Sequence, residues 1–141
     1  MGTVYATITL KNQFDVRDAL NGYIKEEDVR QATVEVVVDT GAITLFITDE
    51  LRQQLGLEIM GEWPVTVANG AVEIAKRTEG VEVHWEDRSM VCRPYVLPSG
   101  NETLLGVIPL EDMDLIVDPA REKLIGAHGD EIVHRLPSVR Y

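Results

Sequence analysis

Cysteine is almost absent from this chain. Cys92 stands alone, so no internal disulfide can staple the fold, and stability has to come from a packed core. Flanked by Val91, Arg93 and Tyr95 in an alternating run, and with no Cys-His spacing around it, Cys92 reads as a core strand residue and not a nucleophile. Basic residues are also scarce. Lys plus Arg number 13 against 24 Asp plus Glu, a formal net charge of −11, which repels nucleic acid and anionic membrane surfaces. No apolar run approaches the roughly 20 residues that span a bilayer, and the start Met1-Gly2-Thr3-Val4-Tyr5-Ala6 lacks the basic end and long apolar centre of a signal peptide. The expectation is a cytoplasmic protein that binds neither nucleic acid nor membrane. His84, His128 and His134 lie far apart without Cys partners, so no metal site and no cofactor are expected. Asp112, Asp114 and Asp118 lack calcium-loop spacing and read as solvated acids.

What is present is strand periodicity. The 141 residues suit one domain. Val4, Ala6, Ile8 and Leu10 alternate with polar neighbours, as a half-buried strand requires. Residues 12–30 are polar and read as a solvated connection with one short helix at most. Gln31 to Val38 is the next strand, and Ile43 to Ile47 is apolar enough to return as its neighbour. Thr48-Asp49-Glu50-Leu51 opens a helix with a hydroxyl cap and acids in its first turn; Leu51, Leu55 and Leu57 form its apolar side, and Gly56 ends it. Two alternating runs, Pro64 to Val67 and Val72 to Ala75, flank Ala68-Asn69-Gly70-Ala71, a strong hairpin signal in which both central residues of a tight turn need positive φ. Further strands follow at Val81 to Trp85 and Ser89 to Leu97 around the charged turn Glu86-Asp87-Arg88. After the turn Pro98-Ser99-Gly100-Asn101 come a short buried strand at Leu104-Leu105 and a helix opened by Pro109. Leu115 to Val117 and Lys123 to Ile125 make a last hairpin, and Gly126 to Tyr141 is a polar tail. Trp63 and Trp85 read as packing residues on or beside strands.

The chemistry concentrates at Asp39-Thr40-Gly41-Ala42, at the exit of the apolar run Val34-Glu35-Val36-Val37-Val38. A carboxylate there, followed by a hydroxyl and a glycine, suits holding an acid against a water, or else a strand-to-turn connection whose Asp bonds its own backbone. Together with the Asn69-Gly70 hairpin and Leu104-Leu105-Gly106 before a helix, the order of parts resembles the retropepsin-like aspartic proteases of the single-domain bacterial kind, over roughly Gln31 to Ile125. The resemblance implies an all-β, acid-protease type closed or partly closed β-barrel with one or two short helices. The division it suggests is an N-terminal strand and connection over 1–30, the protease domain over 31–125 and the tail over 126–141. It implies an aspartic endopeptidase acting on peptide or protein substrates as a homodimer. The chain carries one such motif, and aspartyl chemistry needs two carboxylates sharing a proton, so Asp39 would pair with Asp39 of a second copy. Thr40 would bond across the interface, and Gly41 would keep the backbone tight beside the acid. Ala42, Val67, Ala68, Asn69, Gly70 and Ala71 would contact substrate, the last four as the tip of a closing flap. One departure stands out: where viral members follow the glycine with an arginine that fastens the dimer, this chain has Val107-Ile108. The rival readings are a non-catalytic module that grips peptides or proteins in the same groove, and a structural partner domain.

Overall fold

A computed structural model describes residues 2–133 of the chain. Alternation decides its centre. In β1 (Val4–Asn12) Val4, Ala6, Ile8 and Leu10 are buried, and β2 (Gln31–Val38) runs antiparallel to it from Lys11 opposite Gln31 to Val4 opposite Val38. Between them the chain forms α1 (Gln13–Leu20) and a 3-10 turn at Glu26–Asp28. This connection is less solvated than its composition suggests. Asn12 is buried, its Oδ1 accepting from the Asp15 N–H to cap α1 and its Nδ2 donating to the Leu55 carbonyl. The buried Asp15 takes both Nε (2.8 Å) and Nη2 (3.0 Å) of Arg30.

Beyond β2 come β3 (Leu45–Ile47), α2 (Asp49–Gln54), β4 (Ile59–Thr66), β5 (Val72–Thr78), β6 (Val81–Trp85), β7 (Arg88–Cys92), β8 (Tyr95–Val96), β9 (Leu104–Leu105), α3 (Val107–Asp112), β10 (Leu115–Asp118) and β11 (Lys123–Gly126). Thr48 Oγ1 caps α2 by accepting from the Leu51 N–H, and Gly56, at φ +66°, ends it. The first nine strands form one sheet in the order β4-β5-β8-β3-β9-β2-β1-β6-β7; β10 and β11 make a separate hairpin. The mostly-β fold with a few short helices is the one expected. Two details differ. The sheet does not close into a barrel, because its end strands β4 and β7 are not paired to each other; β4 carries Pro64, which has no N–H to offer a further strand. And β3 does not pair with β2: β9 lies between them, parallel to β2 and antiparallel to β3. The predicted strand from Ser89 to Leu97 is interrupted at Arg93-Pro94, giving β7 and β8.

Leu10, Leu45, Leu55, Val81, Val83 and Leu105 are wholly buried, and one cluster runs from β1 through α2 to β11. Full burial of each such side chain contributes roughly 1.5–3 kcal/mol before entropy is counted. Three readings are corrected here, two of polar residues and one of a tryptophan. Arg88, expected in a solvated turn, is buried and donates to the carbonyls of Met113 (2.8 Å), Asp114 (2.7 Å) and Gly129. Asp114 is buried at φ +53° and accepts from His128 Nδ1 and the Val133 N–H, bonds that hold its carboxyl below the usual carboxylate range, the histidine contributing most. Trp63 lies exposed on β4, where the Arg77 guanidinium sits 5.7 Å from its ring and 5.8 Å from that of Tyr95. His134 and the rest of the predicted tail after Val133 lie outside the described residues. Among those residues no helix is long and apolar enough to cross a membrane.

Candidate active site

Asp39 is the first residue past β2, and three backbone bonds fix the loop that carries it. Its own N–H donates to the Leu105 carbonyl (3.0 Å), its carbonyl accepts from the Ala42 N–H (3.0 Å), and the Ala42 carbonyl accepts from the Val107 N–H (2.9 Å). The Ile108 N–H donates to the Ile43 carbonyl (2.9 Å), so the start of α3 is bonded to the same loop. Gly106 makes this approach possible. A Cβ there would press on the carbonyls of Ala42 and Thr44, and backbone cannot move aside as a flexible side chain can.

The Asp39 carboxyl is partly exposed. Its Oδ1 accepts from the Gly41 N–H (2.9 Å), the local bond that an ordinary Asp turn would make, while Oδ2 has no hydrogen-bond partner among the described residues. Asp39 lines a groove of about 790 Å³. The groove is lined by Asp39, Gly41, Ala42 and Ile43 of the acid loop and by Val65, Thr66, Val67 and Ala68 of the β4–β5 hairpin. Phe46 and Tyr95, their rings 5.8 Å apart, and Leu97 add apolar wall, and Ser99 to Glu102 complete the rim. Among the described residues that line it, Asp39 and Glu102 are the only charged ones.

Of the predicted site residues, the fold thus brings Asp39, Gly41, Ala42, Val67 and Ala68 to one groove. Thr40 is exposed on the acid loop outside that lining, and Asn69, Gly70 and Ala71 form the hairpin tip beyond it. The tip differs from the predicted turn. Gly70 alone has positive φ (+85°); the Gly70 N–H donates to the Val67 carbonyl and the Val67 N–H to the Ala71 carbonyl, so three residues turn the chain instead of two. Sequence reasoning missed Phe46, Tyr95, Leu97 and the rim from Ser99 to Glu102. The signal available was position: Pro98 to Asn101 is a turn immediately before the Leu104-Leu105 pair that lands beside Asp39. Cys92 lies outside the groove, and burial pushes its thiol up to about 12, which keeps it protonated and inert. No cluster of His, Cys, Asp and Glu suited to a metal occurs among the described residues.

Residues 27–112 match the family described as "gag-polyprotein putative aspartyl protease". No curated protein matches the chain. Among solved structures it is similar to a retropepsin-like aspartic protease from Rickettsia conorii, with 16% identity and a TM-score of 0.45 over 84% of this chain and 89% of that one. It is also similar to the EIAV protease complexed with the inhibitor HBY-793, with 23% identity and a TM-score of 0.41 over 57% and 76% of the two chains.

Proposed function

Since the chain belongs to the aspartyl protease family of gag polyproteins, we propose that it is an aspartic endopeptidase, a cytoplasmic homodimer whose two Asp39 carboxylates share one proton. The observation that carries this reading is that Asp39 and Val65 to Ala68 line one groove. A peptide lying there would have the acid on one side of its backbone and the hairpin on the other. Two carboxylates in close approach cannot both ionise cheaply, so one holds a proton. The ionised member takes a proton from a water, which attacks the peptide carbonyl; the neutral member donates to the carbonyl oxygen. Thr40 links the two acid loops, and the Gly41 N–H orients Asp39 through Oδ1, leaving Oδ2 for the water. Asn69, Gly70 and Ala71 close over the bound peptide.

Asp39→Asn keeps the size of the side chain and removes the charge and the shared proton. Cleavage of an unfolded protein should fall at least a thousandfold while sedimentation and unfolding stay close to the parent's. Equal cleavage by the two forms would remove Asp39 from the mechanism. A peptide-binding module without hydrolysis is the second reading, favoured by the single motif carboxylate that one chain contributes. Peptide binding by the parent protein with no cleavage would select it.

A further inference from the structure

Resting on the peptidase reading above, we infer that Glu102 makes the groove selective for peptides that carry a lysine or arginine within about five residues of the cleaved bond, next to bulky apolar side chains. Among the described residues lining the groove, two are charged, Asp39 and Glu102, and none is Lys, Arg or His. Asp39 is committed to the reaction, which leaves Glu102 as the carboxylate able to read a substrate charge. It is exposed and has no ion-pair partner among the described residues, so a cation would meet it uncompensated. Its distance from the reaction is bounded by the chain itself. Leu105, whose carbonyl accepts from the Asp39 N–H, follows Glu102 by three residues, so the Glu102 Cα lies no more than about 11 Å from that of Leu105 and, across the hydrogen bond, no more than about 17 Å from that of Asp39. An extended substrate advances about 3.3 Å per residue, which sets the window of positions Glu102 can reach.

The surroundings act in the same direction. Glu102 also borders a second cleft, of about 370 Å³, lined by Glu35 and Glu50 and, among the described residues, by no basic one. A peptide leaving the groove over residue 102 therefore stays in a negative field, with the net charge of −11 behind it. The apolar half of the preference comes from Phe46, Tyr95 and Leu97 on the wall. Closure of the hairpin would withdraw the Glu102 contact from water and strengthen it beyond an ordinary surface pair.

The experiment uses pairs of peptides identical except for lysine or norleucine near the cleaved bond, and reads the ratio of their kcat/KM values. The parent should favour the lysine peptide three- to tenfold, through KM, with the ratio shrinking as salt is raised. Glu102→Gln should bring the ratio near one, and Glu102→Lys should invert it towards a glutamate peptide. Glu27→Gln, outside the groove, removes one charge from the total and should leave the ratio as it was. Parallel binding measurements on Asp39→Asn protein, with and without Glu102→Gln, separate the two ideas. A lysine preference in binding that depends on Glu102, with no cleavage by the parent, would sustain this inference and sink the peptidase reading. Cleavage with equal lysine and norleucine ratios, or a preference unchanged in Glu102→Gln, would overturn this inference and leave the peptidase standing.

Discussion

Asp15 and Asp39 are held by opposite means. Both Asp15 oxygens are taken by the Arg30 guanidinium, and the Arg30 N–H adds a third bond at 3.0 Å; Asp39 keeps one oxygen free. Arg30 holds the Asp15 carboxyl below its ordinary 3.8, the side-chain bond outweighing the opposing effect of burial. The folded value is thus depressed. Asp15 contributes its full stability above its ordinary pKa, and that contribution is lost as pH falls through the folded value. Asp15→Asn should cost about 1.5–3 kcal/mol in urea unfolding near neutrality and flatten the acid side of the stability profile. An unchanged midpoint would mean the pair is solvent-screened and idle. None of this was legible from composition. Asp15 sits in a polar run, and its partner is defined only when β1 and β2 pair and bring Arg30 back past α1, where Arg30 also covers Gly56 at the end of α2. Asp39 was legible because its signal is local: an apolar run, an acid, a hydroxyl and a glycine in succession.

At the scale of elements, periodicity reads well and brevity does not. β1, β2 and the hairpin of β4 and β5 were readable because alternation continues for several residues and Asn69-Gly70 marks the turn. β9 has two residues, too few to show a period, so its insertion between β2 and β3 could not be read from the sequence. The hairpin is tethered as well as extended: Glu73 accepts from both the N–H and the hydroxyl of Ser99, fastening β5 to the opposite rim. Its tip beyond Thr66 is exposed from Ala68 to Val72, with little apolar burial to restrain it. Amides 67–72 should exchange rapidly in the free protein and become protected when a peptide-like statine inhibitor binds. Strong protection without ligand, unchanged on binding, would make the hairpin a fixed part of the sheet. Gly70→Val finds open space but must hold φ +85°, so its cost is backbone strain of no more than about 2 kcal/mol. It should lower kcat/KM tenfold or more while lowering the unfolding midpoint by only several degrees.

The whole molecule carries a charge of −11, and two copies of it must approach closely if their Asp39 loops are to share a proton. Repulsion between like-charged chains is screened by salt and relieved as carboxylates protonate. Specific activity should therefore rise with protein concentration, rise further with moderate salt, and peak below neutral pH, where the shared proton is retained. Activity per milligram that stays constant to dilutions where light scattering finds only monomer would refute the shared site. Assembly within one copy is also non-local. Asp39 is bonded to Leu105 and its loop to Val107 and Ile108, so the acid loop is finished by residues made long after it. At roughly 5–20 residues per second, a ribosome that has already released Asp39 takes several more seconds to supply its clasp. On the peptidase reading, a nascent chain that has emitted Asp39 but not Leu105 to Ile108 carries the acid without its clasp and should not cleave its neighbours on the polysome.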